Sequence, residues 1–465
     1  MHTPFADDLT HIDAVLAETL AEAARFLAQI EARPAGVCAP RLEAAQLPED
    51  GLGALGSLEE FKTRFAPWLS GSAGPRYYGL VTGGVTPAAL AGDWLVSVYD
   101  QNTVGSDESI APQIELETIG LLRQLFGLPD EFSGAFVTGA TMANFVGLAL
   151  GRQWAGHHMG VDSAAQGLWG LEPLRVFSAC PHSSVYKALA MLGLGRGALT
   201  LTPCLPGREA ADVGGLEEHL RRQEGRPCMV VANAGTVNTV DFDDLRAVAE
   251  LRARYPFWLH VDAAFGGFAA CSPRTASLVQ GMELADSITI DAHKFLNVPY
   301  DAAMQFTRRP DLQAEIFQNA AAYLDTEVRA DQYIHLTPEN SRRLRALPSW
   351  FTLTAYGKQG YAEMVERLCA LAQWLGEQIQ GAREFHLLAP VRLNGVCFAL
   401  ADGAGCVPME GVRRYLRRLQ ADGGVYLTPT VYAGVPAVRA SLTNWRITQK
   451  DVEQAWEAML RGAQR

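Results

Sequence analysis

The chain has 465 residues, of which 48% are hydrophobic and 19% charged, and its formal net charge is −12. Those proportions exclude a disordered chain, and the acidic balance lacks the basic footprint that nucleic-acid binding requires. At this length one core gives way to two or three domains.

At the N-terminus, Leu9, Ile12, Leu16, Leu20, Ala23, Leu27 and Ile30 recur at helical spacing, and Arg33-Pro34 ends the helix. Its apolar stripe must pack on something. A region containing Gly and Pro follows, then a short helix near 58–65, so 1–86 is expected to be a helical segment. From 87 to 354 strand and helix alternate. Short apolar runs at 135–137, 175–177, 229–231, 258–261 and 287–290 predict strands, with helices over 144–154, 184–192 and 245–255 between them. Such alternation implies a mainly parallel sheet covered on both faces, and ligands of such sheets bind beyond the carboxyl ends of the strands. Residues 132–151 carry no charge and match a membrane span in length, but Thr138, Thr141, Asn144 and several glycines favour a buried strand-turn-helix. Residues 355–465 read as a smaller α+β domain. It ends in a strand over 437–442 and a helix capped by Thr448-Gln449-Lys450-Asp451. Eight cysteines without a CxxC pair, and a start without a basic and then apolar leader, predict reduced thiols and a cytoplasmic location.

Five motifs follow predicted strands. Thr138-Gly139-Ala140-Thr141 runs into a helix, where free N–H groups and the helix dipole favour an anion. His182 in Cys180-Pro181-His182-Ser183-Ser184 can stack on a ring, or be an ordinary loop histidine. Thr236 in Gly235-Thr236 can hydrogen-bond a ligand, or its own backbone. Asp262 ends an apolar strand in His260-Val261-Asp262-Ala263-Ala264, where a carboxylate can pair with a pyridine nitrogen and small Ala264 leaves room for a ring face. Lys294 in Asp291-Ala292-His293-Lys294 stands just past a buried strand. Lysine there is either a surface residue or a nucleophilic amine. Any one of these has a bland reading; their order along one sheet points to pyridoxal 5'-phosphate (PLP).

On these motifs, from about Pro67 onward, the chain resembles the group II PLP-dependent amino acid decarboxylases, which include aromatic amino acid, histidine and glutamate decarboxylases. The resemblance implies an α/β fold of the aspartate-aminotransferase type (fold type I). A mainly parallel sheet would form the large domain, a smaller α+β domain would follow, and the protein would be a homodimer packed through its N-terminal segment. It implies that Lys294 is the Schiff-base lysine, Asp262 the pyridinium partner, Ala264 the residue beneath the ring and His182 the stacking histidine. His293, Ala140 and Thr141 would contact the phosphate, and Thr236 would face both cofactor and substrate. The segment 324–343 is similar to the family's mobile loop. Counting back from Ser341-Arg342-Arg343 sets Tyr333 at the tyrosine that reprotonates substrate carbon, with His335 the competing donor; in the family's dimer the loop would act in the neighbour's site. Gly74-Pro75-Arg76-Tyr77-Tyr78-Gly79 resembles the aromatic mouth of the substrate pocket, so Tyr77 and Tyr78 would contact substrate or pack in the core. Arg439 would reach the active site or form a structural ion pair.

Two positions depart from the pattern. Asp291 stands where some members carry Asn, and a carboxylate beside a phosphate is repelled; Met142 stands where many carry Glu. The expected reaction is decarboxylation of an L-amino acid, aromatic by the tyrosines, to an amine and CO2. An aldehyde synthase, lyase or aminotransferase of the same fold is the alternative, and a non-catalytic dimeric scaffold the alternative of another class. No metal is expected: His157-His158 are adjacent on a helix and point apart. Neither a membrane nor a nucleic-acid partner is expected.

Overall fold

The computed structural model describes residues 3–106, 108–319, 329–401 and 405–464. Its centre is a seven-stranded sheet of β1 (Ser133–Val137), β2 (Val176–Ser178), β3 (Leu199–Leu201), β4 (Cys228–Asn233), β5 (Phe257–Asp262), β6 (Ser287–Asp291) and β7 (Ala303–Thr307), in the order β1-β7-β6-β5-β4-β2-β3. β3, β2, β4, β5 and β6 pair in parallel; β7 runs against both β1 and β6. Every residue of β4 and β5 is buried, so these strands read as unbroken apolar runs. The helix Ala140–His158 covers one face, and at Gly147 a Cβ would lie 2.5 Å from the His260 ring. Only glycine lets the helix approach β5 so closely. The charge-free stretch 132–151 is β1, a turn and the start of this helix. Among the described residues no helix is long and apolar enough to cross a membrane.

A second sheet, fully antiparallel in the order β10-β11-β9-β8, comprises β8 (Phe385–Leu387), β9 (Gly395–Leu400), β10 (Thr428–Tyr432) and β11 (Val435–Ser441). The last helix, Gln449–Ala463, opens with a capping box between Thr448 and Asp451. Between the sheets runs a long helix, Ala346–Gly381, that bends at Gly357, where φ is 58°. The boundary expected at 354/355 falls inside it.

Three local features differ from expectation. The N-terminal helix is two, Thr3–Thr10 and Ile12–Ala28. Of its stripe Ile30 is buried, whereas Leu9, Ile12, Leu16 and Leu20 are each at least half exposed. The next helix begins earlier, at Gly53. Strands β3 and β7 were not anticipated.

Among the described residues, one ion pair lies wholly inside. Arg342 makes two bonds to the Glu115 carboxylate, at 2.8 and 3.1 Å, and donates to the carbonyls of Thr103 and Phe136; Glu115 also accepts from Phe136 N. Both side chains are fully buried. The pair ties β1 to the helix Ala111–Phe126, just ahead of the 138–141 turn.

Candidate active site

Since β1 and the parallel strands share one direction, their carboxyl ends lie along one edge of the sheet, where a cavity of 410 Å³ opens. Ala140, Thr141, His182, Thr236, Asp262, Ala264, His293 and Lys294 all line it. Asp291, Arg439, Leu80 and Val81 complete much of the wall.

Lys294 sits in a wide helical turn, Ala292–Leu296, on the link from β6 to its antiparallel neighbour β7. Three distant segments fix that turn. Gly83 N donates to His293 O, and a Cβ on Gly83 would lie 1.7 Å from Lys294 O, so glycine is required there. Tyr361 Oη donates to Leu296 O from the long helix. Asn297 Nδ2 donates to Thr443 O while Trp445 N donates to Asn297 Oδ1. Lys294 Nζ lies 3.0 Å from Asp291 Oδ2 and 5.4 Å from the centre of the Phe265 ring.

Asp262 is buried and receives two hydrogen bonds, from Asn144 Nδ2 at 3.0 Å and Ala264 N at 3.2 Å. Behind it runs a directed chain. Trp258 Nε1 donates to Ser287 Oγ, whose proton goes to His260 Nδ1 at 2.8 Å; His260 Nε2–H then donates to Asn144 Oδ1 at 2.9 Å. The His260 tautomer is set by these neighbours. Burial holds its imidazole neutral, pushing the pKa down to about 4 despite the pull of Asp262. Asn144 Nδ2 also reaches Ser184 Oγ, which bonds His182 Nδ1 at 2.8 Å and leaves the proton on Nε2. Burial lowers the His182 pKa as well. Sequence reasoning missed the roles of Asn144, His260 and Ser184. A signal was present, because residues two apart on a strand share a face, which puts His260 beside Asp262.

Thr236 is buried, donating to Glu209 Oε2 at 2.6 Å and accepting from Asp241 N. Arg439 reaches the cavity from β11. Its Nη1 donates to Val237 O at 2.8 Å, its Nε is buried without a partner, and burial lowers its pKa. A backbone carbonyl, not a carboxylate, is thus its bonded partner. Leu80 and Val81 hold φ of 60° and 55°, the left-handed region that a β-branched residue rarely enters. Such strain costs of order 1–3 kcal/mol per residue and marks sites where position matters more than comfort.

Four expected site residues lie elsewhere. Tyr78 is fully buried in the main core. Tyr77 stacks on Tyr426 at 4.6 Å and 15°, because both belong to a short bridge that aligns their rings. Neither lines the cavity; Leu80 and Val81 take that place. Tyr333 is fully buried with Ala135 and Leu336, its ring 4.7 Å from the Arg342 guanidinium. The inward pull of Glu115 on Arg342 creates that bed, and burial raises the phenol pKa well above its usual value. His335 is buried too, accepting from Asn319 N at 3.1 Å. Neither reaches the cavity of its own chain. Residues 324–328 of the expected loop lie outside the described residues. His157 turns to Glu315 at 3.2 Å and His158 to the Trp154 ring, so the two point apart.

The pyridoxal-dependent decarboxylase conserved domain matches residues 40–401. The chain belongs to that family. The decarboxylase is 29% identical over 332 residues to an aromatic-L-amino-acid decarboxylase of Bacillus atrophaeus, covering 70% of this chain and 67% of the relative. It is 30% identical over 386 residues to an L-2,4-diaminobutyrate decarboxylase of Rhizobium meliloti, covering 81% and 75%. The fold is that of Oryza sativa TDC, solved with PLP and tryptamine, with a TM-score of 0.89 at 24% identity over 99% of this chain and 98% of the other. The decarboxylase is accordingly a PLP-dependent carboxy-lyase of fold type I. Its cavity fits the cofactor: a buried carboxylate for the ring nitrogen, an amine for the aldehyde, small Ala264 for a ring face, and the first turn of a 19-residue helix for the phosphate.

Proposed function

We propose that this PLP-dependent decarboxylase acts on an aromatic L-amino acid, releasing CO2 and the amine, with Lys294 as the cofactor lysine. Two features support the aromatic reading. Leu80, Val81, Met142 and Phe265 give the cavity an apolar wall, and Arg439 is the lining cation left for a carboxylate once Lys294 is committed to the cofactor. A substrate with a second carboxylate would find no second cation among the described lining residues.

When bound, the cofactor ties up the substrate amine and draws electrons from the breaking bond through its protonated ring. The chain's own residues do the rest. Arg439, which lines the cavity, takes the α-carboxylate and so fixes which bond at Cα is presented for cleavage. Asp262 presents its carboxylate to the ring nitrogen, oriented by Asn144 and Ala264. His182, neutral and tied to Ser184, covers the ring without adding charge. With Tyr333 and His335 shut in the core, Lys294 Nζ is the amine in the cavity that returns a proton to Cα.

The test is an absorbance spectrum of purified protein before and after borohydride, then an amino-acid panel assayed for CO2, amine, aldehyde and ammonia. Expected are a band near the visible edge that is lost on reduction and absent in Lys294→Ala, and CO2 with amine from an aromatic substrate. Aldehyde and ammonia would instead make it an aldehyde synthase, and turnover of 2,4-diaminobutyrate alone would replace the aromatic assignment. A protein that stays colourless with added PLP would overturn the reading. Tyr333→Phe should leave the amine yield within about threefold of wild type, since a buried phenol is not the donor. A larger loss would show that Tyr333 leaves its bed.

Leu9, Ile12, Leu16 and Leu20, together with Trp94, Val98 and Tyr99 on the helix Pro87–Tyr99, are exposed apolar side chains of the kind that pack at interfaces. They support a homodimer, which light scattering measures directly; a monomeric mass across micromolar concentrations would rule it out.

A further inference from the structure

The carboxylate of Asp291 lies where a phosphate would be expected. It is 3% exposed and grips two groups at once: Oδ1 accepts from Ala140 N at 2.8 Å, and Oδ2 lies 3.0 Å from Lys294 Nζ. His293 Nε2 stands 3.6 Å from the same oxygen. Ala140 N is the first amide of the helix Ala140–His158. Met142 N and Ala143 N already bond to Gly139 O. Thr141 N is therefore the amide of that turn left for a phosphate oxygen.

We propose that Asp291 is a positioning residue that limits how tightly the phosphate end of PLP is held. Resting on the reading that Lys294 carries the cofactor, this assigns Asp291 two effects. It braces Lys294 against the end of β6, and it takes for itself half of the helix's anion-binding turn. A phosphate bound at that turn meets a carboxylate of like sign that is 3% exposed, so bulk water does little to screen the repulsion. Asparagine at this position keeps an oxygen for Ala140 N and brings an N–H that a phosphate can accept.

The experiment compares pyridoxal phosphate with pyridoxal, which lacks the phosphate, by equilibrium titration of cofactor-stripped wild type and Asp291→Asn. Any change in Lys294 reactivity affects both compounds alike, so the ratio of their affinities isolates the phosphate. That ratio should rise at least about tenfold in Asp291→Asn. Inorganic phosphate should raise the melting temperature of the stripped variant more than that of stripped wild type. Asp291→Ser, neutral and smaller, must move the ratio in the same direction, which guards against a folding defect in one variant. A ratio that stays level or falls would overturn the role of Asp291 while leaving Lys294 as the cofactor lysine. Binding of neither compound by either protein would sink both readings.

Discussion

Asn144 is the joint of the polar chain behind the active site, and removing it has a calculable cost. In Asn144→Ala the Asp262 carboxylate loses its 3.0 Å donor, and Ser184 Oγ and His260 Nε2 each lose one hydrogen bond. A hydrogen bond to a charged group contributes about 1.5–3 kcal/mol, and each neutral one about 0.5–1.5. Because the three share one side chain they do not add independently, so the expected loss of stability is about 2–4 kcal/mol. The part that reaches catalysis is the bond to Asp262, since Ala264 N alone then orients the carboxylate. That loss corresponds to a fall in kcat of about 10- to 150-fold. KM should stay near wild type, because Asn144 does not line the cavity. Steady-state decarboxylation at saturating PLP measures both constants, and urea unfolding measures the stability. Asn144→Asp should be worse than Asn144→Ala, because it sets a second carboxylate against the first. A variant whose unfolding midpoint drops while kcat stays within about threefold of wild type would refute the argument, leaving Asn144 as packing.

Other consequences are open to measurement. Arg342→Met strands the fully buried Glu115 carboxylate and should lower unfolding free energy by about 3–5 kcal/mol, whereas Arg342→Met with Glu115→Leu should recover much of that; a single variant within about 1 kcal/mol of wild type would contradict it. His260, with a pKa near 4 in the fold and about 6.5 unfolded, contributes stability that is complete above pH 6.5 and lost as pH falls towards 4, up to about 3 kcal/mol. Asp243, fully buried and raised to about 6, acts in the opposite sense: its penalty is absent below pH 4 and complete above 6. Urea midpoints at pH 4 and pH 6.5 should therefore show Asp243→Asn gaining about 3 kcal/mol on wild type over that interval, and parallel profiles would show that Asp243 does not titrate there.

The parts of the fold that could be read from the sequence are those whose burial is uniform. β4 and β5 are covered on both faces, so their composition alone announces them. β7, Ala303-Met304-Gln305-Phe306-Thr307, mixes polar with apolar residues, because Gln305 and Thr307 find partners inside the fold: Gln305 Oε1 accepts from Gln313, and Thr307 Oγ1 donates to Asp286 O. Composition hides such a strand. That Lys294, Asp262, His182 and Thr236 meet in one cavity was legible because each stands at or shortly after the carboxyl end of a strand. The bed of Tyr333 was not legible, because it comes from Arg342 and Glu115, more than two hundred residues apart in the chain. Of the two readings open for Tyr77 and Tyr78, Tyr78 packs in the core, while Tyr77 stacks on Tyr426, a neighbour nearly 350 residues away in the chain.

The turn that carries Lys294 is held by Gly83, Tyr361, Thr443 and Trp445. During synthesis, the strands of the large sheet leave the ribosome well before residue 445 does. A nascent chain can therefore assemble most of its central sheet while the Lys294 turn still lacks two of its four restraints. The turn is complete only once Thr443 and Trp445 have emerged to bond Asn297.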